Sequence, residues 1–171
     1  RFLVMVDVNA PTLVWFRKDL RLRDNSALRA AVEVGAPVIP VFIWAPEEAG
    51  DWSPGAASKW WLHQSLQELE NALATMGGKL VLSEGESLAT LRDLVRRSGA
   101  GRVFWNRRYD APLREVDASV KRALKADGVE VRSFNSNLLN EPHTVSTGSD
   151  RPYKVFTPYW KNVRQRRVEA P

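Results

Sequence analysis

The sequence predicts a doubly wound α/β domain with a five-stranded parallel sheet, because strand-like and helix-like segments alternate along most of its length. Five short runs of apolar, β-branched or aromatic residues, each bounded by turn residues, cover 12–16, 38–44, 79–82, 102–105 and 129–134. Between these runs, apolar residues recur every three or four positions, as on the buried face of a helix. Strands that alternate with helices are usually parallel and joined by right-handed crossovers. We therefore expect a Rossmann-like domain over residues 12–134, with strand order 3-2-1-4-5 and helices on both faces.

The first strand and helix are predicted from the start of this pattern. The apolar run Thr12–Phe16 is followed by a charged loop and then by Asp24 and Asn25. Either residue suits the N-cap of a helix that ends at Gly35. The second apolar run contains Pro40, which cannot donate a backbone hydrogen bond to a neighbouring strand. We therefore expect a bulge or an irregular course there.

Each of the other three predicted helices ends at a glycine, which adopts the left-handed backbone conformation at a helix end most easily. Their apolar stripes are Leu62, Leu66, Leu69, Leu73 and Met76; Leu88, Leu91, Leu94 and Val95; and Leu113, Val116, Val120 and Leu124. The terminating glycines are Gly77, Gly99 and Gly128, and Pro112 suits the first turn of the last helix.

The composition narrows the functional classes. The chain contains no cysteine, which excludes disulfides, thiolate metal ligands and a cysteine nucleophile. Two histidines do not favour a histidine-based metal site or proton relay, and we identify no metal-binding or catalytic residue. The net charge of +5 favours an anionic partner, but the basic residues are dispersed, so direct contact with nucleic acid and a solvated basic surface both stay open. No apolar stretch approaches the roughly 20 residues of a membrane span, so we expect no membrane association.

Two segments lie outside the predicted domain. Residues 1–11 begin with arginine, and we interpret them as a leader or an added segment. Residues 135–171 lose the periodicity and are rich in turn-forming residues, which predicts an extended loop that runs into a basic connector. The apolar residues between Leu138 and Trp160 follow no helical or strand period, so we expect them to form an exposed apolar surface.

The candidate ligand site lies at the carboxyl edge of the sheet, where doubly wound proteins bind ligands at the point of strand-order reversal. For the order 3-2-1-4-5, that point lies between the loops Arg17–Asp24 and Asn106–Asp110, which are the most polar segments of the chain. The second loop precedes a predicted helix N-terminus, which favours anions. Alternatively, the charged residues pair with each other and tie the two loops together. We favour this structural role for Arg17, Asp19 and Asp24, and both roles stay open for residues 107–110.

Trp44, Trp60 and Trp61 each have two possible roles, and the carboxylates without paired spacing have one. Trp44 follows the second strand and can either stack on a flat ligand or close the core. Trp60 and Trp61 point about 100° apart on a helix, so we expect one ring inside the core and the other outside. The carboxylates without paired spacing are interpreted as solvating charges; they are Glu68, Glu70, Glu84, Glu86, Asp117 and Glu130. The sequence has no glycine-rich phosphate loop.

Several segments carry a family resemblance. The stretch WFRKDLRLRDNSAL (15–28), directly after the first apolar residues, resembles the opening of the DNA photolyase/cryptochrome family. Further similar stretches follow in the family order: FIW (42–44), SKWWLHQSL (58–66), WNRRYD (105–110), NLLNEPHTV (137–145) and PYKVFTPYW (152–160). Together they make the chain similar to the N-terminal α/β domain of this family, most like that of the deoxyribodipyrimidine photolyases.

The resemblance implies a light-harvesting antenna domain. In the family, this domain holds an antenna chromophore (a folate, a deazaflavin or a flavin) and packs on a helical domain that binds FAD. The full-length enzyme is a lyase that repairs pyrimidine dimers by light-driven electron transfer from FAD. We expect the antenna near Trp44, Arg107, Arg108, Tyr109 and Asp110. The implied partners are the helical FAD-binding domain of the same protein and, through the full-length protein, damaged DNA. The implied location is cytoplasmic, and the 171 residues alone are expected to be inactive.

One departure from the family pattern leaves the antenna unassigned. Some folate-binding members follow their tyrosine–acid pair, here Tyr109-Asp110, with an Asn-Glu pair that contacts the pterin. This chain has Pro112 and Leu113 there, which offer no such hydrogen bonds. Two other functions stay open: the same domain of a cryptochrome photoreceptor, and a generic nucleotide-binding α/β module.

Overall fold

The sheet has the topology that the sequence predicts. The computed structural model describes residues 7–167, which form two compact units that meet at Ser136 and Asn137. The first unit contains five strands, β1 (Thr12–Phe16), β2 (Val38–Trp44), β3 (Val81–Glu84), β4 (Arg102–Asn106) and β5 (Glu130–Phe134). All are parallel, in the order β3-β2-β1-β4-β5, so the predicted order is confirmed. The order reverses between β1 and β4.

Four helices cover the two faces of this sheet: α1 (Ser26–Glu33), α2 (Ala56–Ala74), α3 (Ser87–Ser98) and α4 (Ala111–Ala126). Because side chains alternate along a strand, β1 sends Leu13 and Trp15 to the α3 and α4 side, and Val14 and Phe16 to the α1 and α2 side. All five residues of β1 and of β4 are buried. The site is thus built on two fully buried central strands.

The helices follow the sequence signals at their ends, and one residue of a predicted buried stripe does not. Asn25 is the N-cap of α1, and its side chain accepts a hydrogen bond from the backbone N–H of Leu28 at 3.0 Å. Gly99 ends α3 with φ at 68°, a conformation that glycine adopts without steric cost. Met76 lies beyond the end of α2 and is exposed, so its place in the buried stripe was wrongly predicted.

The bulge expected at Pro40 is absent. Pro40 pairs regularly with Val14 of β1, and β3 begins to pair with β2 only at Val41. At Pro40, the strand therefore has a neighbour on one side only, so its missing N–H breaks no hydrogen bond toward β3.

Residues 7–11 are held against the start of β4. The buried guanidinium of Arg102 donates hydrogen bonds to the carbonyl oxygens of Ala10 (2.9 Å) and Asp7 (3.1 Å). The N–H of Gly101 binds the carbonyl oxygen of Pro11. The interpretation of residues 1–11 as a leader stays a prediction, and residues 1–6 lie outside the described residues.

The second unit contains a helix that the sequence pattern should have revealed. Instead of a continuous loop, a 3₁₀ turn forms at Pro142–Thr144 and a helix, α5, at Phe156–Val163. Phe156, Tyr159, Trp160 and Val163 do follow helical spacing, but eight residues make only about two turns and are easily overlooked. Pro158 is compatible with the helix because it lies in the first turn, where backbone N–H groups have no helical acceptor. Residues 168–171 of the predicted connector lie outside the described part.

None of the helices in the described part of the chain combines the length and the hydropathy that a membrane span requires.

Candidate functional site

A cleft of about 490 Å³ opens at the carboxyl edge of the sheet. It spans the carboxyl ends of β1 and β2 and reaches Arg108 after β4, and the strand order reverses between β1 and β4. Ligand binding at this edge stays a prediction. Its walls come from the loop after β1, the end of β2, the 3₁₀ segment Pro46–Trp52, the first half of α2, and the region around the start of α4. A cavity of this size can hold a small organic cofactor.

Aromatic side chains form the wall on the β2 side. Phe42 and Trp44 lie at the end of β2, and Trp61 lies in the second turn of α2. Trp44 is half-buried and packs against the α1 and α2 core, which agrees with its predicted core role, while stacking on a ligand stays a prediction. Phe42 is buried, so the two tryptophans offer most of the ring surface that a planar ligand could stack on.

The expectation that one of Trp60 and Trp61 enters the core is wrong. Trp60 is 62% exposed and Trp61 is 68% exposed. The reason is that α2 fully buries only Leu69 and Leu73, in its second half. Of the two rings, Trp61 lines the cleft and Trp60 does not.

Cationic side chains form the wall on the side of β1 and β4. Arg17 and Arg108 both donate to one carboxylate oxygen of Asp117: Arg17 Nη1 at 2.8 Å and Arg108 Nη2 at 2.5 Å. The three side chains are only 5%, 10% and 12% exposed. Asp117 is therefore a buried partner of two arginines, and its interpretation as a solvating charge is wrong.

The two guanidinium groups also pack on a buried tryptophan. Arg17 lies 4.4 Å and Arg108 5.5 Å from the ring centre of Trp15, which meets Trp105 edge to face. Burial lowers the pKa of Arg17 to about 10, and the charge of Asp117 opposes this shift. This part of the cleft wall therefore consists of two buried arginines that share one acid.

The remaining predicted site residues lie around this layer. Asp110 pairs with Lys18 at 2.8 Å, and this hydrogen bond lowers the pKa of the Asp110 carboxyl group. Arg107 donates to the carbonyl oxygen of Ser133 on β5 (2.6 Å), and Tyr109 donates to the side chain of Asn135 (3.3 Å). Of the five predicted residues, Trp44 and Arg108 line the cleft, whereas Arg107, Tyr109 and Asp110 do not.

Asn106 connects the loops that carry these groups. Its side chain accepts from the N–H of Ala27 (3.0 Å) and donates to Asp19 (2.6 Å) and Asn25 (2.8 Å). The backbone carbonyl oxygen of Asn106 accepts a hydrogen bond from the guanidinium of Arg17. The structural role favoured for Arg17 and Asp19 therefore agrees with their contacts, while Arg17 also lines the cleft.

A comparison with known proteins identifies the family. The family model described as DNA photolyase matches residues 12–171. The chain belongs to the DNA photolyase family. The resemblance of the quoted segments is thereby confirmed.

Two curated relatives and one solved structure give the extent of this similarity. The deoxyribodipyrimidine photo-lyase of Agrobacterium fabrum is 51% identical over 152 residues, which are 89% of this chain and 31% of that protein. Cryptochrome-1 of Arabidopsis thaliana is 46% identical over 152 residues, which are 88% of this chain and 22% of that protein. The crystal structure of a class III photolyase from Agrobacterium tumefaciens superposes with a TM-score of 0.86 at 48% identity, over 93% of this chain and 32% of that one. The chain spans less than a third of the length of these curated relatives.

Photolyase-family segments supply most of the cleft. The first segment, 15–28, contributes Arg17, Lys18, Leu20 and Arg21, and the segment 58–66 contributes Ser58, Trp61, Leu62 and Ser65. The α2 residues of this second set were not predicted, because the ligand site was expected only in the loops after strands. The signal that could have found it is Trp-Trp near the start of a helix whose apolar stripe begins only afterwards.

Proposed function

We propose that this chain is the light-harvesting domain of a DNA photolyase and that it binds the antenna chromophore in the carboxyl-edge cleft. The observation that carries this proposal is a cleft with two tryptophan rings on one side, half-buried Trp44 and exposed Trp61, and two buried arginines, Arg17 and Arg108, on the other. Such a cleft can hold a flat chromophore by stacking and orient it by polar contacts.

The activity of the whole protein is proposed from the relatives. In this proposal the full-length parent is a cytoplasmic deoxyribodipyrimidine photolyase, a lyase that repairs pyrimidine dimers in DNA by light-driven electron transfer from FAD. A relative of that name shares 51% identity with the chain. The FAD would be held by a helical domain of the parent, so the 171 residues would not repair DNA by themselves.

A cryptochrome photoreceptor is the second candidate, because cryptochrome-1 of Arabidopsis thaliana shares 46% identity over nearly the same length. In both cases the α/β domain would hold the antenna in the same cleft. The two candidates differ in what the parent does with the absorbed light, so a repair assay of the full-length parent separates them.

The antenna is a folate, a deazaflavin or a flavin in this proposal. Leu113 lines the cleft with an aliphatic side chain. A pterin could not form hydrogen bonds with it, which argues against the folate pose that uses an Asn-Glu pair. The other poses and the two other chromophores are compatible with the aromatic and cationic walls.

Replacing Trp61 with alanine should weaken chromophore binding by roughly tenfold, because a stacking ring contributes on the order of 1 kcal/mol or more beyond its area. The measurement is a fluorescence titration of the chain with a folate, a deazaflavin and a flavin. Since Trp61 is 68% exposed, the substitution should leave the fold intact.

The matched control is Trp60→Ala, which removes an equally exposed ring from the neighbouring position without touching the cleft. Its affinity should equal that of the unaltered chain. Equal affinities for both variants would contradict the proposed site, and so would the failure of all three chromophores to bind.

The second unit carries an apolar surface that we assign to the rest of the parent protein. On α5, Phe156 and Trp160 stack at 6.2 Å with an interplanar angle of 11°, and they are 70% and 50% exposed. Exposed apolar groups of this kind usually mark an interface. The proposed occupant is the helical FAD-binding domain, since the relatives continue far beyond the matched length.

Without that domain, the chain should self-associate at high concentration, and the variant Phe156→Ser/Trp160→Ser should stay monomeric. Sedimentation velocity over a concentration series measures this directly. Trp52→Ser, which removes an exposed tryptophan of the first unit, serves as the control and should associate like the unaltered chain. A strictly monomeric unaltered chain would argue against this surface.

A further inference from the structure

The charged residues that line the cleft all carry the same sign. Among the described residues, Arg17, Lys18, Arg21 and Arg108 line it, and no carboxylate does. A cleft lined by one sign of charge attracts ligand groups of the opposite sign, and its low-dielectric walls strengthen that attraction.

The acids that pair with these cations do not line the cleft. Asp117 holds Arg17 and Arg108 through one oxygen, and Asp110 holds Lys18. An anion in the cleft would therefore meet the cations first and the carboxylates only at a greater distance.

Lys18 and Arg21 can exchange their present partners for an anion with a small loss of stability. Lys18 and Asp110 are both exposed, and an exposed ion pair contributes little to stability. Arg21 donates to the carbonyl oxygens of Asp24 (3.0 Å) and Ser136 (2.6 Å), and its guanidinium also lies 3.8 Å from the carboxylate of Asp24, in an ion pair whose two side chains are exposed. An incoming anion would add a charged acceptor without removing a buried one.

The sheet topology separates the charges from the aromatic rings. The cations come from the loops after β1 and β4, whereas Phe42 and Trp44 end β2 and Trp61 comes from the helix that follows β2. Since β2 and β4 lie on opposite sides of β1, the cleft has an aromatic side and a cationic side.

We propose that this cleft selects a planar chromophore that carries an anionic group, a phosphate or a carboxylate, with the ring on the β2 side and the anion against Lys18, Arg21 and Arg108. This inference rests on the proposed antenna function and names the chemical class of its ligand.

The test compares each ring system with and without an anion. The pairs are flavin mononucleotide with riboflavin, 5-deazariboflavin 5′-phosphate with 5-deazariboflavin, and folate with its neutral dimethyl ester. At low ionic strength, the anionic member of a pair that binds should bind at least about tenfold more tightly than the neutral one. The ratio should fall as salt is added. The two flavin pairs test recognition of a phosphate, and the folate pair tests recognition of a carboxylate.

Two variants show whether the lining cations cause the preference. Lys18→Gln and Arg21→Gln should each lower the ratio at least about threefold, because each removes one of the cations that would face the anion. Lys79→Gln, at an exposed lysine that does not line the cleft, should leave the ratio unchanged.

The outcomes distinguish the two proposals. If the anionic and neutral members of every binding pair have equal affinities, the charge inference is overturned and the antenna site stands. If the ratio exceeds tenfold but survives in Lys18→Gln and Arg21→Gln, the inference is also overturned. If no compound of any pair binds, the antenna function falls together with the inference.

Discussion

Replacing Asp117 with asparagine should lower the free energy of unfolding by about 3 kcal/mol, because it leaves two buried cations without their shared counter-charge. Arg17 and Arg108 are almost fully buried and donate to the same oxygen of Asp117. Burial already lowers the pKa of Arg17 to about 10, so the folded state holds that proton more weakly than the unfolded state. Arg17 therefore costs stability at neutral pH, and Asp117 offsets part of this cost.

Urea unfolding of the two proteins measures this loss, and the chain offers a matched control. Asp93 also contacts two arginines, Arg96 and Arg97, but all three side chains are exposed. Asp93→Asn should leave the unfolding midpoint unchanged within error, since exposed ion pairs contribute little. If both variants unfolded at the same urea concentration, the buried position of Asp117 would not matter, and our account of the cationic wall would be wrong.

Asp117 also shows why part of the site could not be predicted from the sequence. It lies nine residues after Arg108 and one hundred after Arg17, with no local motif that joins the three. The crossover from β4 into α4 brings it to the loop after β1, and only the three-dimensional path of that connection defines the contact. The place where the strand order reverses, in contrast, could be predicted, because the strand order alone determines it.

The wrong prediction for Trp60 and Trp61 also arises because the sequence does not show which part of a helix lies over the sheet. Helical geometry gives the angle between two neighbouring side chains, but it does not say whether that part of the helix lies over the sheet. The sheet covers the second half of α2, where Leu69 and Leu73 are buried, so both rings in the first half stay exposed. The alternation of strands and helices was sufficient for the fold, whereas side-chain direction at the cleft depends on where each helix begins.

Replacing Asn106 with leucine should lower the free energy of unfolding by at least about 3 kcal/mol, because leucine has a similar volume but no polar atoms. Asn106 is 1% exposed, and its amide binds three groups: the N–H of Ala27 and the side chains of Asp19 and Asn25. A buried polar group that loses its partner costs about 1–3 kcal/mol, and Ala27 and Asp19 are both buried. Water cannot replace the lost hydrogen bonds without opening the junction between β4, the loop after β1, and α1.

Thermal or urea unfolding of Asn106→Leu measures the loss, and Asn71→Leu on the exposed side of α2 is the control for the same chemical change. The control should shift the stability by no more than about 0.5 kcal/mol, as is usual for surface substitutions. The chromophore affinity of any folded fraction should also fall, since Asn106 holds Asp19, which in turn accepts from the backbone N–H of Arg17 at 2.9 Å. An Asn106→Leu protein as stable as Asn71→Leu would mean that the loops around the cleft are held by other contacts, and the junction described here would lose its structural role.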